Sequence, residues 1–260
     1  MATTAATARP PKAGQFPLRH RHDRTAILIL VGLIGVAVTL GFGSDIYQRY
    51  RTHAATYPAI IYIHGTVFIG WVLLLTFQAL LIRNRKVRLH RTIGVFGAAY
   101  AAAMVVLGLS AALTIEKLQL GTADADPAFL AIQFMDMAGF GALAAAAISA
   151  RNQPSAHKRL ILLATLAIAD AALARFLAAP IGRMIGSSGP WQFWTEAYAS
   201  SWPLILAIGA YDWVTRGRLH PAWVFGSVWI FIEELTATWL YGDPAWKVVA
   251  TDILHLWPWT

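Results

Sequence analysis

Seven stretches of this chain are apolar over about the length that crosses a bilayer. A transmembrane helix needs roughly 20 apolar residues to span the hydrocarbon core. The composition agrees, since 57% of the residues are hydrophobic and 13% are charged, against roughly 25% charged in an average soluble domain. The sequence therefore predicts an all-α polytopic membrane protein, a bundle of seven transmembrane helices. The apolar tracts are approximately residues 25–43, 58–82, 91–115, 127–150, 159–180, 197–215 and 221–241.

The basic residues are concentrated in every second segment between these tracts. Fifteen Lys and Arg residues fall in 1–24, 83–91, 151–159 and 216–218, whereas five fall in segments on the other side. Cytoplasmic loops carry such an excess of Lys and Arg. The pattern predicts a cytoplasmic N-terminus in a bacterial plasma (inner) membrane. The net charge of +8 is then topological and attracted to anionic lipid, and it does not indicate nucleic-acid binding.

The chain divides into three predicted regions. Residues 1–24, rich in Ala, Thr, Pro and basic side chains, are expected to form a disordered basic cytoplasmic tail. Residues 25–241 form the seven-helix transmembrane domain, and residues 242–260 form an external aromatic-rich segment. Cysteine is absent, which excludes disulfides and thiolate chemistry. Gly- and Ala-rich spans predict close helix packing rather than a wide pore.

Ionisable side chains converge at one depth of the predicted bundle. Counting about 1.5 Å per residue from the outer helix ends places six of them roughly 8–15 Å deep, in the outer half of the bilayer. An ionised Asp or Arg in the bilayer centre costs about 2.5–3.5 kcal/mol, so such residues indicate a functional site. Four carboxyls face one arginine and one histidine, so protons, a bound cation or a water-filled cavity must balance them. The six are His64, Asp136, Asp170, Arg175, Glu233 and Glu234.

Helical phase separates the roles of these residues. Adjacent helical positions point about 100° apart, which favours Glu234 as the cavity-facing glutamate and leaves Glu233 to a neighbouring helix. Asp170 and Arg175 are poorly placed to pair with each other, so Arg175 is expected to bind Asp136 or a glutamate of the last span. Trp191 and Trp194, in an external loop, suit the membrane–water interface.

A metal site is one interpretation of this band. His64, Asp136, Asp170 and Glu234 offer one nitrogen and three carboxyls, which suit Zn, Mn or Fe. In a membrane oxidoreductase or metal-dependent enzyme, Asp170 and Glu234 would be catalytic, and Arg175 would balance charge or hold an anionic substrate group. No diagnostic ligand spacing is present, and the alternative is a buried hydrogen-bond network that fixes helix register.

A redox cofactor is another interpretation. Haem b ligated by two histidines needs them on facing helices at matching depth, and His90 and His157 both sit at cytoplasmic helix starts. A quinone or other hydrophobic small molecule would then be its redox partner. The alternative is that His90–Arg91 and the basic pair Lys158–Arg159 are interfacial anchors that reach lipid headgroups.

Two non-enzymatic functions remain open. Asp136 and Asp170 could serve as the carboxyls of a proton-coupled small-molecule carrier. The polar band could also be structural in an accessory subunit that binds another membrane protein or forms a homo-oligomer. Outside the band, Asp212 is expected to pair with Arg216, four residues later.

The segment IHGTVFIGWVLLLTFQALLIRNRKVRLHRTIGVFGAAY resembles a bacterial multi-pass membrane family of unknown function. Its pattern is an early-helix His near a Gly, a Gln late in the same span, and then His-Arg-x-x-Gly. AHKRLILLATLAIADAALARF is similar to the tails of related proteins. The resemblance implies a loosely cytochrome b561-like bundle and no established activity, with a cofactor to be tested at His64, Gln78, His90 and His157. The matching residues are His64, Gly65 or Gly70, Gln78, His90, Arg91 and Gly94.

Overall fold

The structure is a computed structural model that describes residue 16 and residues 20–53, 56–186 and 188–258. All regular secondary structure in these residues is helical. Three short 3₁₀ turns, Pro127–Phe129, Ala150–Asn152 and Gly189–Trp191, accompany the α-helices. The α-helices are α1 Asp23–Arg51, α2 Ala59–Arg83, α3 Val87–Gln119, α4 Leu130–Ser149, α5 Pro154–Ala167, α6 Asp170–Ile185, α7 Gln192–Ala197, α8 Trp202–Arg216, α9 Pro221–Gly242 and α10 Pro244–Leu256.

Four helical segments in the described part are long and apolar enough to cross a membrane. They are α1, α2, α3 and Pro127–Asn152, which comprises α4 and its flanking turns; α5 and α6 give a fifth if that bent pair is one span. The protein is thus all-helical with four or five candidate spans. The predicted seventh span, α9, is long enough, but Glu233 and Glu234 lower its mean hydropathy. The predicted sixth, α8, has 15 residues, roughly 22 Å at about 1.5 Å per residue.

Helix α4 lies at the centre of the bundle, in contact with α3, α5 and α9. Outside this group, α2 packs between α1 and α3, and α1 also contacts α6. Small residues permit the close approaches, as the Gly- and Ala-rich spans predict. At one such approach, a β-carbon on Gly41 of α1 would meet the backbone of Ala172 of α6. The core between the helices includes Ile34, Phe140 and Leu163, none of them more than 1% exposed.

The outer faces of the first helices are apolar and exposed. On α1 these exposed residues include Ile29, Leu33, Val36 and Leu40. Monomeric soluble proteins rarely expose contiguous apolar surface of this kind. The surface and the candidate spans together are consistent with a multi-pass membrane protein.

The predicted fifth span, residues 159–180, is divided into two helices that meet at 66°. The Ala169 N–H donates to Leu166 O over three residues, and the Ala171 N–H donates to Asp170 Oδ1 at 2.7 Å. A side-chain acceptor that takes a local backbone N–H competes with helix propagation. No Gly or Pro occurs between Leu166 and Ala171, so the break carries no sequence signal of the usual kind.

The two terminal regions are described to different extents. Of the predicted tail 1–24, only residue 16 and residues 20–24 are described, and α1 begins at Asp23. In the predicted external segment 242–260, residues 244–256 form α10 and residues 259–260 lie outside the described part. Asp243 caps α10 through its bond from the Ala245 N–H.

Candidate functional site

Four carboxyl groups lie within electrostatic range of one another, three of them on the packed helices α4 and α9 and one at the start of α6. Electrostatic interactions link Asp136 of α4 with Asp170 of α6 and with Glu233 and Glu234 of α9. Asp170 and both glutamates are buried, and Asp136 is half-buried. These four residues are referred to below as the acid cluster. The sequence predicted this convergence.

Glu234 is held by two tryptophans. The indole N–H groups of Trp194 and Trp202 both donate to Glu234 Oε2, each at 2.9 Å. Phe231 keeps the two indoles in place, with ring centroids 6.1 Å from Trp194 and 5.7 Å from Trp202. Hydrogen bonds to an ionised acceptor are about twice as strong as neutral ones. Trp194 therefore positions an acid rather than acting only as the interfacial residue that the sequence indicated.

Glu233 lies against α4, the neighbouring helix that the sequence left unspecified. Its carboxyl occupies the space that a β-carbon on Gly139 would fill. The Trp229 side chain approaches the same carboxyl. Within the described residues, however, Glu233 Oε2 is buried without a hydrogen-bond partner. The two adjacent glutamates thus have different surroundings: one is supplied with donors and the other lacks a partner for one oxygen.

Tyr198 adds a hydroxyl to the acid cluster that the sequence did not single out. It is 1% exposed and interacts electrostatically with all four carboxyls. Its hydroxyl has no hydrogen-bond partner among the described residues. Leaving a buried polar group unpaired costs about 1–3 kcal/mol, so this hydroxyl is available to a proton acceptor, water or ligand. No local motif marks Tyr198, because only the folded bundle brings it to the acids.

Arg175 does not pair with the acid cluster, so the partners expected for it from the sequence are wrong. Its Nε donates to Asp45 Oδ2 of α1 at 2.7 Å, and its guanidinium lies 4.3 Å from the Phe42 ring centroid. Its side chain is 38% exposed. Five residues beyond Asp170 on α6, it is turned roughly 140° away, although it stays in electrostatic range of that carboxyl. None of the ion pairs among the described residues includes a carboxyl of the acid cluster.

The structure does not gather the predicted metal ligands into one set. Within residues 20–53, 56–186 and 188–258, no group of three or more His, Asp or Glu side chains is placed to hold a metal ion. His64 instead packs against Phe68 of its own helix, with ring centroids 4.0 Å apart and the ring planes tilted by 38°. The predicted His64, Asp136, Asp170 and Glu234 site is therefore unsupported. The acids are near enough to influence one another but are not arranged as ligands.

The two histidines predicted to face each other do meet. The ring centroids of His90 and His157 are 6.3 Å apart, with the ring planes at 82°. His157 Nδ1 lies 2.8 Å from Ala147 O, a contact that suits an N–H donor and leaves Nε2 free. In the described part of the chain, His90 Nδ1 and Gln78 Oε1 are buried without hydrogen-bond partners.

A second charged cluster joins α1, α5 and α8, and we call it the ion network. Arg159 binds Asp212 through both Nε and Nη2. Arg216 Nη2 reaches both oxygens of Asp23 at 2.6 and 2.8 Å, and Lys158 Nζ lies 2.7 Å from Asp23 Oδ2. Arg216 Nη1 also reaches Asp212 Oδ1 at 3.4 Å, which confirms that predicted pair.

The ion network bears on one alternative that the sequence left open. In that alternative Arg159 reaches lipid headgroups, but its side chain is 3% exposed. Its guanidinium is bound by Asp212 and by the carbonyl and hydroxyl of Ser155. The sequence did not indicate this partner, because Asp212 lies 53 residues away, beyond the reach of helical spacing rules.

Two aromatic rings cover the ion network. Phe16 lies 4.9 Å from the Arg159 guanidinium and 5.3 Å from that of Arg216, within the range of cation–π attraction. His220 packs edge-on against Phe16 at 4.5 Å. Its Nδ1 accepts the Ala222 N–H at 3.0 Å and so caps α9. Burial, followed by the nearby Arg159, lowers the pKa of His220 to about 4.

No family model matches this chain, no curated protein matches it, and no solved structure matches its fold. The resemblance of the first histidine-bearing segment to a family of unknown function stays a prediction, as does the cytochrome b561-like bundle.

Proposed function

We propose that this chain is a bacterial inner-membrane protein that couples proton binding at the acid cluster to the movement of a small molecule. In this proposal α8 and α9 form the sixth and seventh spans, and the N-terminus is cytoplasmic. The fifteen-to-five distribution of Lys and Arg supports that orientation. The acid cluster then faces the outer half of the bilayer.

One observation carries the proposal: the acid cluster adjoins a broken helix and takes part in no ion pair of the described residues. Transporters bind substrates and coupling ions near the bilayer midplane, where spanning helices are interrupted. Asp170 is the first residue of α6, and a helix N-terminus favours negative charge. Acids buried in hydrocarbon without counter-ions favour bound protons.

The hydrogen-bond partners assign different roles to the acids. Glu234 receives two indole N–H bonds, and Asp170 receives the Ala171 N–H. Both carboxyls therefore have donors that stabilise an ionised state. Glu233 Oε2 has none among the described residues, so Glu233 holds the exchangeable proton. Tyr198, with its unpaired hydroxyl, passes that proton within the cluster.

A metal-dependent or catalytic function is less well supported by the same geometry. Among the described residues, no group of three or more His, Asp or Glu side chains is placed to bind a metal. The proposed catalytic group of Asp170, Glu234 and Arg175 is divided, because Arg175 binds Asp45. A purely structural network in an accessory subunit is the remaining alternative, and an experiment separates it from the carrier.

Labelling with dicyclohexylcarbodiimide tests the proton site, since this apolar reagent reacts with protonated carboxyls in hydrophobic surroundings. We expect labelling of Glu233 that declines as the pH rises, and loss of the label in Glu233→Gln. Glu196 is the matched control because it is exposed and should stay unlabelled. Equal labelling of both glutamates, or none of Glu233, contradicts the proton site.

Reconstitution tests the carrier. Liposomes that contain the protein and an internal pH dye should report proton flux when a transported solute from a small-molecule panel is added. Glu233→Gln should abolish the flux, whereas Asp45→Asn should retain it because Asp45 is exposed and is not part of the acid cluster. Labelled Glu233 without flux for any solute would support the structural network instead.

Haem b is the second candidate, favoured by the contact between His90 and His157. The ring centroids of His90 and His157 lie 6.3 Å apart, so these two imidazoles would be the groups that hold the haem iron. The Ala147 carbonyl orients His157 as backbone carbonyls orient metal-bound histidines. Bound haem would supply one-electron transfer, with quinone as a suitable partner. An absorption spectrum of protein purified with added haem tests this, and a spectrum without a haem band excludes it.

A further inference from the structure

An apolar groove of about 250 Å³ runs between α1 and α8, with α5 contributing to its wall. Its sides are aliphatic, and part of its rim is open. Ile29 and Leu33 of α1, which line the groove, are exposed large hydrophobic residues, and Ala207 of α8, also a lining residue, is exposed as well. The groove therefore opens sideways, toward the surface that faces lipid. Its aliphatic wall includes Ile27, Leu30, Leu33, Leu162, Leu204 and Ala207.

One end of the groove reaches the ion network. Asp23, Lys158, Arg159 and Asp212 line that end together with Tyr211. With Arg216, which pairs with both aspartates, the network contains three cations and two carboxylates. The apolar groove therefore ends at a surplus of one positive charge.

Lys158 is the cation best placed to reach a ligand. Its side chain is 21% exposed, whereas those of Arg159 and Arg216 are 3% and 1% exposed. A lysine ammonium has three donors, and the described hydrogen bond of Lys158 uses one of them, to Asp23 at 2.7 Å.

We propose that this groove binds one acyl chain of an anionic phospholipid, with the lipid phosphate facing Lys158. The aliphatic wall accommodates the chain, and the positive end selects the headgroup charge. Basic pockets between transmembrane helices on the cytoplasmic side bind anionic headgroups in this way. The site is distinct from the acid cluster, so it does not depend on proton coupling.

Native mass spectrometry of the detergent-purified chain tests the site, with dioleoyl phosphatidylglycerol and dioleoyl phosphatidylcholine as matched probes. We expect half-saturation at a phosphatidylglycerol concentration about tenfold lower than for phosphatidylcholine, the effect of about 1.4 kcal/mol. Lys158→Gln should remove this preference and leave binding of both lipids at the weaker level. Asp23 keeps Arg216 and Tyr211 as partners in that variant, so the fold should be retained.

A second pair of variants tests the groove itself. Ala207→Phe fills the groove and should weaken binding of phosphatidylglycerol about tenfold or more, because part of the acyl chain is then left unburied. Ala210→Phe is the matched control, because Ala210 is also exposed on α8 but does not line the groove. If Ala207→Phe fails to fold, Ala207→Leu should weaken binding in the same direction.

Two results would overturn the proposal. Equal affinity of the unmodified chain for the two lipids would show that headgroup charge is not recognised. Unchanged binding in the Ala207 variant, or an equal loss in both phenylalanine variants, would place the lipid elsewhere on the surface.

Discussion

The carboxyl of Glu233 on α9 lies directly against Gly139 on α4, and no β-carbon fits between them. This contact sets how closely the two helices approach beside the acid cluster. Asp136 is three residues before Gly139 and so lies on the same face of α4. The glycine thereby brings the acids of two helices to one place.

Gly139→Ala should destabilise the protein by up to about 2 kcal/mol, because the overpacking cost of about 1–3 kcal/mol from moving the Glu233 carboxyl or the helix exceeds the helix-propensity gain of about 1 kcal/mol. The free energy of unfolding in detergent measures the effect. Gly32→Ala is the control, since no described atom lies within 4 Å of the position that a β-carbon on Gly32 would take. That change should be neutral or stabilising by up to about 1 kcal/mol. Similar effects at the two glycines would show that α4 and α9 are not in this close contact.

Trp194→Phe and Trp202→Phe should each destabilise the protein by about 0.5–3 kcal/mol, a range that runs from a neutral hydrogen bond to one with a charged acceptor. Each change keeps an aromatic ring and removes an N–H donor to Glu234. Repeating both changes in a Glu234→Gln background gives a double-mutant cycle. The losses should shrink there, and losses of the same size in both backgrounds would contradict the bonds. Trp239→Phe, at an exposed position, should have little effect.

Asp212→Ala should destabilise the protein by about 3–5 kcal/mol, because it leaves Arg159 buried without its carboxylate. Thermal unfolding in detergent provides the measurement. Asp252→Ala, an exposed position, should change stability little. Replacing the pair together, as Arg159→Met with Asp212→Leu, should recover part of the loss. A loss as large as that of the single variant would show that the charges themselves are required.

His220 should make stability fall as the pH is lowered. Its pKa is lowered from 6.5 to about 4, first by burial and then by Arg159, Lys158 and Arg216, with Asp212 opposing them. The unfolded chain therefore takes up the proton first. The contribution of neutral His220 to stability is complete above pH 6.5 and is lost as the pH falls toward 4.

His220→Asn isolates this contribution, because asparagine can cap α9 and does not titrate. Between pH 7 and pH 4, the variant should lose less unfolding free energy than the unmodified chain. Parallel pH profiles would mean that His220 titrates alike in the folded and unfolded chain.

The acid cluster was predictable because helical rise places residues of different spans at comparable depth. That estimate alone was enough to predict that four carboxyls lie at one depth, namely those of Asp136, Asp170, Glu233 and Glu234. The rotation of each helix about its axis is set by packing, so the partner of Arg175 was not predictable. Depth also said nothing about Tyr198, which precedes α8 in an irregular segment.

Local spacing explains what was found and missed in the ion network. The pair Asp212–Arg216 is four residues apart on one helix, so a helical rule predicted it. Asp23 and Arg159 lie on helices far apart in the chain, and each pairs with residues of another helix. No spacing rule within one segment could predict those partners. The break before Asp170 was missed for a different reason: the segment from Leu166 to Ala171 contains no Gly or Pro, and the bond from the Ala171 N–H to the Asp170 carboxylate is visible only in the folded chain.

At the 66° bend, the C-terminal end of the α5 dipole lies next to the N-terminal end of the α6 dipole. The last carbonyls of α5 carry partial negative charge, and the first amides of α6 carry partial positive charge. Cationic and anionic species can thus each find complementary backbone dipoles within the few residues from Ala167 to Asp170. At this junction the first amides of α6 suit an ionised carboxyl, and the last carbonyls of α5 suit a protonated one. An unbroken helix in the same position would offer neither, because its amides and carbonyls bond to one another.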